Sequence, residues 1–121
     1  VSLETIDRII KSTIDTILTA NGQLSVSELS KQINVNRRQL ERKFSSAIGL
    51  SPKQLSKTIR LQNTLNLLIN KKFTSLTALA YEGDYYDQAH FIKDFREFTG
   101  LTPKEFYGNN LKMSSLFYGK D

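Results

Sequence analysis

Arg37, Arg38, Glu41 and Arg42 crowd the start of one predicted helix, and together they can read acceptors lying in a plane. A guanidinium presents a rigid fork of donors that takes two acceptors at once, as guanine offers through O6 and N7. Glu41 can accept from the amino group of cytosine or orient an arginine. A second set, Tyr86, Asp87, Gln88, His90 and Lys93, stands at the start of another predicted helix. Gln88 matches the donor and acceptor of adenine, and Tyr86 can pack on a thymine methyl or a sugar. Asp87 has two readings, a base contact or the cap of its own helix. Both sets are candidates for contact with base edges. Catalysis has nothing comparable to build on: the chain has one histidine, no cysteine, no glycine-rich phosphate loop and no evident pair of carboxylates. No cofactor and no metal are expected, and the chain is not read as an enzyme.

The cations are concentrated. From Lys31 to Arg60, eight basic residues (Lys31, Arg37, Arg38, Arg42, Lys43, Lys53, Lys57, Arg60) stand against one acid, Glu41, an excess of +7. From Leu76 to Tyr107, three basic residues (Lys93, Arg96, Lys104) stand against six acidic ones (Glu82, Asp84, Asp87, Asp94, Glu97, Glu105), a balance of −3. The whole chain of 121 residues carries +5. A local excess of that size fits a polyanion, with an acidic protein as the alternative partner of a helical interaction module. Lys53, Lys57 and Arg60 are the candidate phosphate contacts. The helix starts after Ser25, Ser51, Ser75 and Thr102 join them, because backbone N–H groups there point at an approaching anion. The basic stretch is expected to provide the main grip, and the acidic one to bind weakly or meet a protein.

The elements that position these residues follow from periodicity and capping. Ser2 can cap a helix over Leu3–Ala20 with Leu3, Ile6, Ile10, Ile14 and Ile17 as its apolar stripe. Ser25 and Glu28 form a capping box before a short helix with Leu29 and Ile33 inward. Asn36 caps the next helix, which turns Leu40 and Phe44 inward and stops at Gly49. Ser51-Pro52-Lys53-Gln54 opens a long helix over Lys53–Ile69, about 26 Å in length, with Leu55, Ile59, Leu65, Leu68 and Ile69 apolar. Ser75 caps a short helix carrying Leu76, Leu79 and Ala80. The following helix places Phe91, Phe95 and Phe98 on one face and ends at Gly100, after which Thr102, Pro103 and Glu105 open another. After Gly108 no clear period remains, and Leu116, Phe117 and Tyr118 are available to fold back or to meet another domain.

The order contains a repeat. Gly49, Leu50, Pro52 and Lys53 recur as Gly100, Leu101, Pro103 and Lys104, and Phe44 recurs as Phe95, all offset by 51. Before the turn the offset is 50, with Leu29 answering Leu79 and Val35 answering Tyr85, so one residue is inserted between the paired helices. Asn34 and Asp84 fall at the tight corners; they are the non-glycine types that best tolerate positive φ. The size allows one domain or two small units around a shared core. The pattern predicts a tandem pair of helix-turn-helix units.

These residues resemble the DNA-binding domain of the AraC/XylS family of bacterial transcription regulators. The resemblance is carried by Arg38-Gln39-Leu40-Glu41-Arg42-Lys43-Phe44 with Gly49-Leu50-Ser51-Pro52. It continues in Leu79-Ala80, Tyr85-Tyr86-Asp87-Gln88-Ala89-His90-Phe91, Phe95 and Gly100-Leu101-Thr102-Pro103. It implies an all-α fold of about seven helices, a homeodomain-like tandem over residues 1–108. Unit one would cover about 25–49, the linker helix about 52–70 and unit two about 75–100, with a tail at 109–121. It also implies double-stranded DNA as partner, at a promoter or operator, with both recognition helices in adjacent major grooves. Activation is expected over repression, with RNA polymerase as a second partner and an effector or dimerisation domain upstream of Val1, where the lack of an initiator methionine already suggests a segment of a longer protein. The chain departs from the family at Ser30, which replaces alanine, and at Asn34 and Asp84, which replace the turn glycine. Tyr86 replaces a small polar cap. No apolar run approaches the roughly 18 residues of a membrane span, and a bacterial cytoplasmic location is expected.

Overall fold

A computed structural model of the chain describes residues 2–70, 73 and 75–108. Among them are seven helices and no strand: α1 Leu3–Thr19, α2 Val26–Ile33, α3 Arg37–Ile48, α4 Pro52–Asn70, α5 Leu76–Glu82, α6 Gln88–Thr99 and α7 Pro103–Tyr107. The tail residues Leu116, Phe117 and Tyr118 lie outside the described residues. The chain forms two compact units, Val1–Arg60 and Leu61–Asp121, and the division falls inside α4.

Each unit has a buried cluster of its own. In the first, Ile17, Val26, Leu29 and Leu40 are buried together, with Ile9, Leu24, Val35, Leu55 and Ile59 packed against them. In the second, Leu61, Leu68, Leu79, Ala80, Tyr85, Phe91 and Phe95 are buried together.

The helix starts follow the capping chemistry of the sequence. Ser2, Ser25, Asn36, Ser75, Asp87 and Thr102 each cap the helix that follows, their side-chain oxygens accepting from backbone N–H groups of its first turn. Ser51 caps α4 with a reciprocal pair: Gln54 N–H donates to Ser51 Oγ at 3.1 Å and Ser51 N–H to Gln54 Oε1 at 2.8 Å.

The two tight corners share one hydrogen-bond scheme. Asn34 (φ 61°) and Asp84 (φ 62°) are both left-handed. The N–H of Asn34 reaches Lys31 O and that of Val35 reaches Ser30 O; Asp84 and Tyr85 do the same to Tyr81 O and Ala80 O. This pair of bonds satisfies the last carbonyls of the first helix and turns the next residue, Val35 or Tyr85, back onto the core. Asparagine and aspartate thus hold both corners in the left-handed conformation that glycine adopts most readily.

Several inward assignments are corrected. Leu3 is 78% exposed, and α1 buries Thr13 together with Ile17. Thr13 is tolerated there because its hydroxyl donates to Ile9 O at 2.7 Å. Ile69 (68%) and Phe98 (63%) are exposed; Phe98 continues the Phe91–Phe95 stripe into the last turn of α6, and Ile69 stands about 100° around α4 from the buried Leu68. Pro52, Ser56, Leu61 and Thr64 are the buried positions of α4 that the stripe omitted. Asp94 is also buried, so its charge does not lie on the outer face of α6.

Candidate nucleic-acid interface

The start of α3 is held by Asn36, whose Oδ1 accepts from the N–H groups of Arg38 and Gln39. Leu40 and Phe44, both fully buried, fix which side of α3 faces the core. Counting about 100° per residue from Leu40, Arg38 and Arg42 fall within about 20° of directly outward. Arg37 and Glu41 fall on the flanks. Their side chains form an i, i+4 ion pair at 3.3 Å, and Arg37 also donates to Ser27 Oγ at 3.3 Å. Glu41 thus holds Arg37 in the structure. Asn36, Arg37, Arg38 and Glu41 line an open concavity at this helix start.

The same construction recurs at α6 with different side chains. Asp87 caps the helix, its Oδ1 accepting from His90 N–H at 2.9 Å. The cap of α6 is therefore Asp87, and Tyr86 precedes it, 92% exposed. His90 is tied into the corner: its Nδ1 accepts from Tyr86 N–H at 3.4 Å and its ring stands edge-on to Tyr85 at 4.9 Å. Among the described residues its Nε2 makes no hydrogen bond. Gln88 and Lys93 are exposed. Counted from the buried Phe91, the directly outward positions are Ala89 and Lys93, with Arg96 close to them. Ala89 and Arg96 were missed because they carry no obvious base-reading group or lie beyond the first turn. The 51-residue offset, which equates Ala89 with Arg38, was the signal that could have found Ala89.

The candidate phosphate contacts divide by local charge. Lys53 is exposed beside the uncharged Ser51–Gln54 cap. Lys57 and Arg60 are half-buried on the next turns of α4. At Ser25 and Thr102 the capping boxes bring in Glu28 and Glu105. Hydrogen bonds from the backbone and hydroxyl of Ser25 hold the Glu28 carboxyl below its usual range, and Thr102 does the same for Glu105. Both carboxylates are ionised at neutral pH and oppose a phosphate at those two helix starts. The Ser75 side chain is occupied by Ala78 N–H.

A family described as a helix-turn-helix domain matches residues 29–109. The chain belongs to the AraC-type helix-turn-helix family. It is similar to the HTH-type transcriptional regulator GbdR of Pseudomonas aeruginosa, 32% identical over 82 residues, covering 68% of this chain and 22% of that protein. An uncharacterised HTH-type transcriptional regulator of Staphylococcus aureus is 28% identical over 86 residues, covering 71% of this chain and 11% of its own length. The chain thus spans a small part of these curated relatives. Among solved structures, a probable AraC family transcriptional regulator from Rhodopseudomonas palustris aligns with a TM-score of 0.67 at 27% identity, covering 81% of this chain and 93% of that one. The DNA-binding domain of AdpA, solved with a target DNA, aligns with a TM-score of 0.69 at 22% identity, covering 82% and 89%, and so shares the fold. The family consists of regulator domains, not enzymes. No helix among the described residues is long and apolar enough to cross a membrane.

Proposed function

We propose that the chain is the sequence-specific, double-stranded DNA-binding part of a cytoplasmic transcription regulator, with α3 and α6 as recognition helices in adjacent major grooves. The observation that carries this reading is the pair Arg38 and Arg42, directed outward from a helix whose other side is locked into the core. Two guanidinium groups one helical turn apart have the spacing to take guanines in a major groove. Arg37, held by Glu41 and Ser27, flanks them. In the second unit Tyr86, Gln88 and Lys93 are exposed, with Lys93 directly outward on α6, and His90 stands beside them, while Asp87 serves the helix itself. Lys53, Lys57 and Arg60, with the uncharged start of α4, supply phosphate contacts. The AdpA domain's complex with a target DNA and the regulator relatives support the same partner.

Activation, with contact to RNA polymerase, fits the second unit. Its acidic balance suits a protein surface better than a phosphate backbone, and it exposes Phe98 and Phe106, apolar residues that a protein partner can cover. An effector or dimerisation domain belongs to the remaining length of such a regulator.

Selection of bound sequences from a random duplex pool tests the proposal. The expected product is two short boxes about one helical turn apart, roughly 34 Å. A pool without enrichment, together with no affinity for random duplex at low salt, would instead favour a protein-interaction module with a basic face.

A further inference from the structure

The two copies of the repeat are alike in construction and unlike in what they present. Up to the corner they pair at an offset of 50, with Val35 N–H on Ser30 O and Tyr85 N–H on Ala80 O. From the caps onward they pair at 51, with Leu40 N–H on Asn36 O and Phe91 N–H on Asp87 O. The inserted residue is therefore Tyr86, which has no counterpart in the first unit and is 92% exposed. Leu40 and Phe91, then Phe44 and Phe95, are buried in the same helical phase. That common phase puts Ala89 where the first unit has Arg38, and Lys93 where it has Arg42.

Ala89 is exposed at the centre of the outward face. Its side chain has no donor or acceptor, and it is small enough to let the backbone of α6 come close to whatever it meets. The apolar group that a base pair presents in the major groove is the C5-methyl of thymine. Tyr86, one residue before the cap, adds an exposed aromatic ring close to the start of α6.

Resting on the DNA-binding reading above, we infer that the two units read different chemistry: guanine in the first through Arg38 and Arg42, and thymine methyls in the second through Ala89 with Tyr86. Ala89 is then a specificity determinant of the second box, and the bound site is two unlike boxes, not a direct repeat.

The test uses duplexes selected by the whole chain. The box whose guanine preference is relaxed by Arg38→Ala is assigned to the first unit. Thymine is then replaced by deoxyuridine, which removes only the C5-methyl, one box at a time. Uracil in the second box is expected to weaken binding by about three- to fourfold for each methyl that the helix covers, and uracil in the first box by less than about twofold. Ala89→Arg, a change at an exposed helical position, is expected to bring guanine into the second box. No loss on uracil substitution of the second box, equal loss in both boxes, or an unchanged selection by Ala89→Arg each overturns the inference while leaving DNA binding intact. Failure to enrich any duplex would instead remove the underlying reading.

Discussion

Three arginines open α3, and they differ in what restrains them. Arg37 is committed to Glu41 and Ser27, whereas the Arg38 and Arg42 side chains make no hydrogen bond or ion pair among the described residues. A free guanidinium can adopt the geometry a base demands, and a bidentate pair with guanine contributes about 1–3 kcal/mol of discrimination. Arg38→Ala or Arg42→Ala should therefore weaken binding to a selected duplex by about five- to 150-fold and relax the preference at one position. Gln88→Ala or Lys93→Ala should cost less, because the helix that carries them presents fewer directional donors. Equilibrium titration of the four variants on one duplex checks the order, and a larger loss from the second pair would reverse it. At this scale the sequence was legible where a side chain's partner is a few residues away. Asp87 as cap and Glu41 as orienter were both open alternatives of the residue pattern. In the folded chain both side chains take local partners, Asp87 the N–H of His90 and Glu41 the guanidinium of Arg37. Ala89 was illegible for a different reason: the role proposed for it lies in the absence of a polar group.

The corners and caps were readable because their chemistry is local. Serine, asparagine and threonine before a helix, glutamate or glutamine three residues on, and asparagine or aspartate at positive φ each imply one backbone geometry. Burial at helix ends was not readable, as Leu3 and Phe98 show, because periodicity gives a face and not the length of the core beneath it. Close approaches were equally hidden. Gly83 has an ordinary φ, yet a Cβ placed there would collide with the side chain of the buried Thr64 on α4. Gly22 differs: it has φ +73°, and a Cβ would meet the backbone carbonyl of Ser56. Gly83→Ala should destabilise by about 1–3 kcal/mol as an overpacking change. Because the obstacle is a side chain, the cost should shrink by at least about 0.5 kcal/mol in a Thr64→Ala background. Gly22→Ala should show no such relief with Ser56→Ala, since backbone and φ remain as they were. Urea midpoints of the two double-mutant cycles measure both couplings, and equal cost of Gly83→Ala with and without Thr64 would refute the close approach.

Across the whole molecule, the charge balance of each unit has a structural expression at matched positions. Lys53 and Lys104 are equivalent in the repeat: each follows a proline at the first position of a helix, and both are exposed. Their surroundings differ in charge. The cap beside Lys53 closes with the uncharged Gln54, and the one beside Lys104 with Glu105, whose carboxyl Thr102 holds ionised. A phosphate approaching the start of α4 therefore meets a cation and a helix N-terminus, while at α7 the same pair is opposed by a carboxylate. Removing one cation that neutralises a phosphate should reduce the steepness of log K against log salt by about 0.9. Lys53→Ala should produce that reduction, and Lys104→Ala should leave the slope nearly unchanged. Exchanging the caps separates local charge from position: Gln54→Glu should lower affinity at low salt, and Glu105→Gln should raise it. Binding isotherms over a series of salt concentrations give all four slopes. A slope that falls equally for Lys53→Ala and Lys104→Ala would mean that both helix starts touch the backbone, and that the acidic balance of the second unit does not keep it from gripping DNA.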